Sequence, residues 1–500
     1  MKKIGIIDIG SNSIRLVIVQ INNDNFFSVT DEIKESVRLG KDMTPDKELN
    51  PTRMDKAIHT LDFFKKLCTV QNTTEIITVA TEAVRKASNQ MEFLNRVRSE
   101  LSLDVRVLTG VEEAYYDYFG AINSMNFSDA LIMDIGGSSS ELIYVKNREL
   151  KSSISLPFGA INLTEKFSLL KAMNDKSETA IKDFSIALYK NIPWLKKIKN
   201  VPIIGIGGTI RNIGKLHQRK TRYPIDNLHN YIIPSNEVIG IYDLVKVKDS
   251  YQRKRLKGLS KERTDIFVGA TAALVTLIEF LDIKELHVSG SGLRDGLLYE
   301  YIFKSKIPLT NVLNFSLKNL LLNYKIDLKH PNHVWMLTQK LYIELSPIIN
   351  LIINPYNILK TAAMLHDIGI LIRYFDHNKH SSYMIANSKI NGLTHKEQLM
   401  AAYIAALHRK NEFKIDFKLY QNLITKQDLE IIDKLSILLR ISESLDSCLN
   451  GNINMVSCNI ELNTVTLTVD AKADPLLEIS AAMDCSLAFK KIFKRKLIIK

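Results

Sequence analysis

The chain has 500 residues, of which 46% are hydrophobic and 24% are charged, and its formal net charge at pH 7 is +13. This composition is typical of a folded globular protein and excludes a largely disordered chain, while the length predicts several domains. No apolar run is long enough for a signal sequence or a membrane span, and the four cysteines form no CxxC pair, so we expect a cytoplasmic protein without disulfides.

The predicted elements fall into four regions. Residues 1–123 alternate strand-like and helix-like patterns, and residues 124–303 repeat that order, which predicts two α/β domains of similar design. Residues 304–447 show long helical patterns and predict an all-α domain. Residues 448–500 alternate again and predict a small α+β domain with a hairpin at Asn463 and Thr464. The predicted strands of the first two regions are 4–8, 15–19, 76–80 and 105–108, then 130–133, 142–145, 203–205 and 285–288.

The positive charge is unevenly distributed. Residues 304–500 contain 25 Lys and Arg against 17 Asp and Glu, so this stretch carries +8 of the total +13. Such a surplus favours a polyanionic partner such as nucleic acid, anionic lipid or inorganic polyphosphate. A lysine-rich surface without any specific partner explains the charge equally well.

One short pattern occurs twice. Asp8 and Gly10 end an apolar strand and are followed by Ser11 and Asn12, and Asp134 and Gly136 end a second apolar strand in the same way. A carboxylate, free backbone N–H groups and small residues at a strand end suit a phosphate and its Mg2+. A single copy could be an ordinary turn, but the duplication predicts two facing phosphate-binding loops.

Two further loops lead from a strand into a helix start, at residues 78–85 and 205–211. A helix start favours an anion, and Arg85 could add a bidentate phosphate contact; a plain glycine turn is the alternative for the second loop. Glu112 and Glu113 follow another strand. They either complement a helix dipole or supply a base that deprotonates water beside the phosphate.

Two further glycine-containing motifs lie at residues 258–263 and 292–296. Taken in chain order, all these motifs resemble those of the exopolyphosphatase/guanosine pentaphosphate phosphohydrolase (Ppx/GppA) family. That family belongs to the actin-like ATPase superfamily, so the resemblance implies duplicated actin-like (ribonuclease H-like) domains. It implies that Glu113 is the catalytic base and that Asp134 and Glu141 form the metal site. It places the phosphate contacts at Ser11, Asn12, Arg85, Gly136, Gly137, Ser138, Gly207, Gly208 and Thr209. Ser138 departs from the family pattern, which has glycine there.

The activity implied by the resemblance is Mg2+-dependent, processive release of orthophosphate from the end of inorganic polyphosphate. Hydrolysis of guanosine pentaphosphate (pppGpp) to ppGpp is the alternative, since both substrates end in the same phosphate. A sugar or acid kinase and a non-catalytic polyphosphate or alarmone sensor are rivals from other classes. We expect a homodimer with no membrane and no specific nucleic-acid partner.

The helical region contains adjacent His366 and Asp367, which resemble the HD class of metal-dependent phosphohydrolases. Glu443 stands where that pattern has aspartate, which favours a scaffold without a second active site. The candidate ligands of an HD-like metal site are His333, His366, Asp367, His380, His408 and Glu443. Basic side chains that could line a path for a long polyanion are Lys379, His380, Arg409, Lys410, Lys490, Lys491, Lys494, Arg495 and Lys496.

Overall fold

The computed structural model describes residues 1–44, 46–351, 353–409, 413 and 417–500. The chain divides into two compact units, Met1–Thr310 and Asn311–Lys500. Among the described residues, none of the helices combines the length and apolar character that crossing a bilayer requires. Lys410, one of the predicted basic residues, lies outside the described residues.

The first unit begins with a five-stranded sheet in the order β3-β2-β1-β4-β5. The central strand β1 pairs antiparallel with β2 and parallel with β4. Its elements are β1 (Lys2–Ile9), β2 (Ile14–Ile21), β3 (Phe27–Glu35), α1 (Pro51–Val70), β4 (Glu75–Ala80), α2 (Glu82–Arg85), α3 (Gln90–Leu101), β5 (Val105–Val107) and α4 (Gly110–Ile122).

A second sheet of six strands follows in the same unit, in the order β10-β11-β9-β6-β7-β8. Its strands are β6 (Ala130–Ile135), β7 (Ser140–Lys146), β8 (Glu149–Leu156), β9 (Ile203–Ile206), β10 (Tyr231–Pro234) and β11 (Glu285–Val288). Its helices are α5 (Ala160–Lys166), α6 (Asp175–Lys190), α7 (Gly207–Thr221), α8 (Ser235–Lys246), α9 (Ser250–Arg253), α10 (Phe267–Leu281) and α11 (Leu293–Phe303).

The two sheets share one design. In each, the first strand pairs antiparallel with the next strand of a hairpin and parallel with a later strand. The hairpin turns are also alike, because the backbone N–H of Gly10 donates to Ser13 and that of Gly136 donates to Ser139. The predicted duplication of an α/β unit is therefore present. The carboxyl ends of β1 and β6 both open towards one cleft.

Helices α4 and α11 cross at close range because glycines stand at the crossing. A Cβ on Gly120 would collide with the backbone of Gly292, and a Cβ on Gly296 would collide with the backbone of Tyr116. Side chains of α11, including Leu297 and Ile302, belong to the core that packs against β1. Helix α11 thus packs on the first sheet, although the sequence-based domain ranges put it with the second.

The second unit consists of helices around a continuous apolar core, followed by a small sheet. Strand β13 lies between β12, with which it is antiparallel, and β14, with which it is parallel. The helices are α12 (Val312–Asn323), α13 (Lys329–Ile349), α14 (Tyr356–Leu365), α15 (His377–Asn387), α16 (His395–Ala406), α17 (Phe417–Tyr420), α18 (Lys426–Ser444), α19 (Leu476–Met483) and α20 (Ser486–Phe493). The strands are β12 (Ile453–Ile460), β13 (Thr464–Ala471) and β14 (Lys496–Ile499).

Candidate active site

A polar cleft of about 120 Å³ lies between the two sheets of the first unit. It is formed by the hairpin turns after β1 and β6, the starts of α2, α7 and α11, and the first turns of α4. Because parallel strands direct their carboxyl ends to one edge of a sheet, both repeats contribute their loops to the same space. The site-forming residues therefore come from many separate parts of the chain.

Three carboxylates converge beside the cleft, and Asp134 is the one among them that lines it. One carboxylate oxygen from each of Asp117, Asp134 and Glu141 lies within 4.8 Å of the others. Asp134 Oδ1 and Glu141 Oε2 are buried and have no hydrogen-bond partner among the described residues. Glu141 Oε1 accepts a hydrogen bond of 2.8 Å from Ser155. Converging carboxylate oxygens are the ligands that Mg2+ prefers, so the donor set fits this ion.

Burial opposes ionisation of all three carboxylates in this cluster. Burial raises the pKa of Asp134 to about 6, although the charges of Arg211 and Arg15 oppose the shift. Burial and the charges of neighbouring carboxylates raise the pKa of Asp117 and that of Glu141 well above their usual ranges. A bound cation would supply the missing positive charge and allow all three groups to ionise.

Glu113 faces the same cleft from the first turns of α4. Arg85 Nη1 donates to its Oε2 at 2.9 Å, and burial raises the pKa of Glu113 to about 7 despite that arginine. A carboxylate with this pKa can accept a proton from water near neutral pH. Arg85 also pairs with Glu82 and donates to the carbonyl of Leu108. It is not among the residues that line the cleft. Its contacts therefore position Glu113.

The adjacent Glu112 has a different role. Its Oε2 accepts hydrogen bonds from the backbone and the hydroxyl of Thr109, which completes the capping box of α4. Its other oxygen pairs with Arg106 at 2.7 Å. Of the two adjacent glutamates, only Glu113 lines the cleft.

Four arginines also line the cleft: Arg15, Arg211, Arg263 and Arg294. Arg294 pairs with Glu32 at 2.7 Å, whereas the other three form no salt bridge with any residue that the structure describes. Burial and the like charges of its neighbours lower the pKa of Arg211 to about 9, and burial with the charge of Arg15 lowers that of Arg263 to about 10. Neighbouring arginines without a carboxylate partner suit the binding of an anion.

The glycines after β9 make room for these charged groups. Gly207 has φ +92°, and a Cβ there would collide with Asp134 Oδ1. A Cβ on Gly208 would collide with the Arg263 guanidinium. Both positions therefore exclude any larger residue, and they leave the start of α7 open to the cleft.

The remaining predicted phosphate contacts divide into two groups. Ser11, Asn12, Gly136 and Gly137 line the cleft together with the two glycines of α7, and the buried amide of Asn12 has no partner among the described residues. Thr209 is buried next to Arg263, whose Nη1 lies 3.5 Å from its hydroxyl. Ser138 lies beside Gly40, where a Cβ would come within 2.9 Å of its hydroxyl.

Comparisons with known proteins show to which family the chain belongs. The sequence model of the Ppx/GppA phosphatase family matches residues 17–305, and that of Ppx/GppA phosphatase, domain III, matches residues 312–488. The chain belongs to the Ppx/GppA phosphatase family. It is therefore a hydrolase with the α/β domains of actin-like ATPase type that the sequence predicted.

Curated relatives match over most of the chain. The guanosine-5'-triphosphate,3'-diphosphate pyrophosphatase of Pseudoalteromonas translucida (strain TAC 125) is 28% identical over 441 residues, which cover 87% of this chain and 86% of the relative. The protein of the same name from Vibrio parahaemolyticus serotype O3:K6 is 25% identical over 478 residues, covering 94% of this chain and 93% of the relative.

Solved structures of Ppx/GppA proteins match a shorter part of the chain. An exopolyphosphatase from Cytophaga hutchinsonii is 25% identical with a TM-score of 0.58 and covers 62% of this chain and 100% of its own. A Ppx/GppA family member from Aquifex aeolicus is 29% identical with a TM-score of 0.53 and covers 61% of this chain and 98% of its own.

Sequence reasoning missed several residues in or beside this cleft. Asp117 stands one helical turn after Glu113, and this spacing could have revealed it. Arg15 directly faces Asp8 across the β1–β2 pair. The other three arginines lie inside or at the end of glycine-containing motifs, and the prediction did not use them: Arg211, Arg263 and Arg294.

In the second unit, the structure brings together three of the six predicted HD-like ligands, His366, Asp367 and His408. Glu443 lies close enough that their charges act on it, and burial raises its pKa. His333 instead donates to the carbonyl of Ile453 and its other ring nitrogen lies 2.9 Å from Asp446. His380 is half-buried and lies outside the groups of converging ligands. Those groups instead contain two histidines that were not predicted, His330 and His377.

Proposed function

We propose that the first unit hydrolyses the terminal phosphoanhydride bond of inorganic polyphosphate, releasing orthophosphate. The observation that carries this proposal is that cationic and acidic side chains share one cleft. Four arginines line it together with Glu113 and Asp134, and Asp117 and Glu141 converge on Asp134. The arginines suit the oxygens of a phosphate chain, and the carboxylates suit the Mg2+ that accompanies such a chain.

In the proposed mechanism, the terminal phosphoryl group lies against the glycine-rich turns after β1, β6 and β9. Arg211, Arg263 and Arg15 neutralise its non-bridging oxygens, and the amide of Asn12 donates to one of them. Mg2+, when held by Asp117, Asp134 and Glu141, would neutralise further negative charge on the phosphate oxygens. Most of the acceleration then comes from positioning and charge stabilisation.

Glu113 performs the proton transfer. Its carboxylate accepts a proton from a water molecule as the water oxygen forms a bond to the terminal phosphorus. The bond from that phosphorus to the bridging oxygen breaks, and the electron pair leaves with the shortened chain. One water is consumed, and the products are orthophosphate and a chain shorter by one phosphate.

The basic residues of the second unit support polyphosphate as the substrate. Lys490, Lys491, Lys494 and Lys496 are exposed within a single short segment. Remote positive charges add binding energy to a long polyanion without affecting the chemistry. We expect replacement of these four lysines by glutamine to raise the KM for long polyphosphate far more than for a short chain; equal effects on both lengths would contradict this role.

Hydrolysis of pppGpp is a second candidate, favoured by the names of the curated relatives and by a neighbouring cavity. This cavity has a volume of about 390 Å³ and shares Asn12 with the cleft. Its lining combines the apolar side chains of Ile161, Leu170 and Ile266 with charged ones that include Arg38, Lys171 and Asp265. A nucleoside attached to a phosphate chain could occupy it. Leu170 is 55% exposed, so Leu170→Trp would narrow the cavity without disturbing the core.

The deciding experiment compares orthophosphate release with Mg2+ from long polyphosphate, short polyphosphate and pppGpp in parallel, with chain length followed on a gel. Long polymer that disappears without intermediates establishes a processive exopolyphosphatase. A higher kcat/KM for pppGpp, abolished by Leu170→Trp with polyphosphate turnover intact, would establish the second candidate. Release from none of them would reject both.

A further inference from the structure

A cluster of histidines in the second unit has no role in the chemistry proposed above. It contains His330 of α13, His366 and Asp367 directly after α14, His377 at the start of α15 and His408 just after α16. These residues form two groups of three, and Asp367 belongs to both. Within each group, one ligand atom from each residue lies within 4.8 Å of the others.

The hydrogen bonds of the rings fix where the nitrogen lone pairs point. The Nδ1 atoms of His366, His377 and His408 lie 2.8, 2.8 and 2.6 Å from the backbone carbonyl oxygen three residues earlier. A carbonyl oxygen only accepts, so each Nδ1 carries the hydrogen and each neutral ring presents a lone pair on Nε2. Nδ1 of His330 lies 2.7 Å from Asp446 Oδ2 and donates to it in the same way.

These lone pairs face one another at short distances. His330 Nε2 lies 3.2 Å from His366 Nε2, and His377 Nε2 lies 3.1 Å from His408 Nε2. His377 Nε2 is also 2.9 Å from Asp367 Oδ1, an oxygen that has no hydrogen-bond partner among the described residues. Buried acceptors that face acceptors are unfavourable unless a cation lies between them.

The distances between the facing ring nitrogens fit two ligands of one metal ion. Two atoms bonded to one ion at about 2.0 to 2.1 Å, at angles between octahedral and tetrahedral, are separated by about 2.8 to 3.4 Å. The distances between the facing nitrogens lie within that interval. The surroundings also fit, because a ring that binds a metal through one nitrogen usually donates its other N–H to a carbonyl or a carboxylate, as all four rings do here.

We propose that the second unit binds two divalent transition-metal ions, one held by His330, His366 and Asp367 and the other by Asp367, His377 and His408, with Asp367 as the shared ligand. Imidazole-rich sets select ions such as Zn2+, Fe2+, Co2+ or Ni2+, whereas the all-carboxylate cluster of the first unit suits Mg2+. Three protein ligands for each ion leave a position for water or an oxyanion.

The test is the metal content of the full-length protein. The purified chain is stripped with a chelator, incubated with Zn2+ or Co2+, freed of unbound metal and analysed by inductively coupled plasma mass spectrometry. We expect two ions per chain. His408→Gln should reduce the content to one, and Asp367→Asn should reduce it to less than one.

Two controls separate this centre from other sites. His380→Gln changes a histidine that shares α15 with His377 but lies outside the cluster. Asp134→Asn removes a ligand of the carboxylate cluster of the first unit. Both variants should retain two ions. Calorimetric titration of the wild-type protein gives the stoichiometry independently of whether the variants fold. One ion or none per wild-type chain, or an unchanged content in folded Asp367→Asn, would overturn the proposal, and the histidine pairs would then share protons instead.

Discussion

Replacing Glu113 with glutamine tests the assignment of the base with little change to the structure. The amide oxygen of glutamine can still accept the 2.9 Å hydrogen bond from Arg85, so the position of the side chain is retained while its basicity is lost. General base catalysis typically contributes 10²- to 10⁴-fold. We therefore expect kcat to fall by about that factor, which corresponds to about 3 to 5 kcal/mol in activation free energy, with KM changed by less than about threefold.

The pH dependence of kcat/KM provides a second test of Glu113 as the base. Because the pKa of Glu113 is raised to about 7, the base is protonated and inactive on the acidic side of that value. Wild-type kcat/KM should rise with pH up to about 7 and then level off, whereas an ordinary glutamate would lose activity only below about 4.3. The residual activity of Glu113→Gln should lack this acidic limb.

Orthophosphate release under saturating Mg2+ and substrate is the assay, and Glu112→Gln is the matched control. Glu112 serves the capping box of α4, and glutamine at this position can complete the same box. Loss of the exposed pair with Arg106 should therefore lower stability by less than about 1 kcal/mol and leave kcat nearly unchanged. The assignment would be refuted if Glu113→Gln kept more than a tenth of wild-type kcat, or if Glu112→Gln were equally inactive.

Three other substitutions, at Arg211, Gly207 and Asp117, test the rest of the site, and Gly240→Ala is a control away from it. Arg211→Gln should raise the KM at least tenfold and also raise the melting temperature of the substrate-free protein, because it removes one of several crowded cations; a lower melting temperature with unchanged KM would contradict the anion-binding role. Gly207→Ala should lower both stability and kcat, since a Cβ there meets Asp134 at φ +92°. Gly240→Ala, on the open face of α8 with nothing within 4 Å of the new Cβ, should instead stabilise the protein by about 0.5 to 1 kcal/mol in a denaturant titration. Asp117→Asn should raise the Mg2+ concentration for half-maximal activity about tenfold, and an unchanged Mg2+ dependence would exclude this residue as a ligand.

The sequence predicted the parts of the fold that depend on local patterns. Strands β1 and β6 are buried on both faces, so they read as apolar runs that end at an aspartate. By contrast, β3 (Phe27–Glu35) is polar and partly exposed at a sheet edge, and its pattern carried no strand signal. Within residues 304–447, which were predicted to be all-α, helix α14 ends at Leu365 and a short 3₁₀ turn follows at Ile368–Leu371.

In the candidate sites too, some residues have a local sequence signal and others do not. The motif glycines and Glu113 could be predicted because strand ends and helix starts have local signatures. Arg15 could not, because only the pairing of β1 with β2 brings it to the cleft. The spacing of Asp117 from Glu113 was a local signal that the prediction did not use. In the second unit, His333 and His330 are three residues apart on α13, and the sequence alone does not show which of them faces Asp367.

The most direct test of the central claim is the fate of the attacking oxygen. Polyphosphate is hydrolysed in water enriched in ¹⁸O, and the isotope content of the orthophosphate and of the remaining chain is measured by mass spectrometry. The proposed attack of water on the terminal phosphorus predicts one ¹⁸O in every orthophosphate released and none in the shortened chain. Isotope in the remaining chain, or orthophosphate released without ¹⁸O, would contradict it.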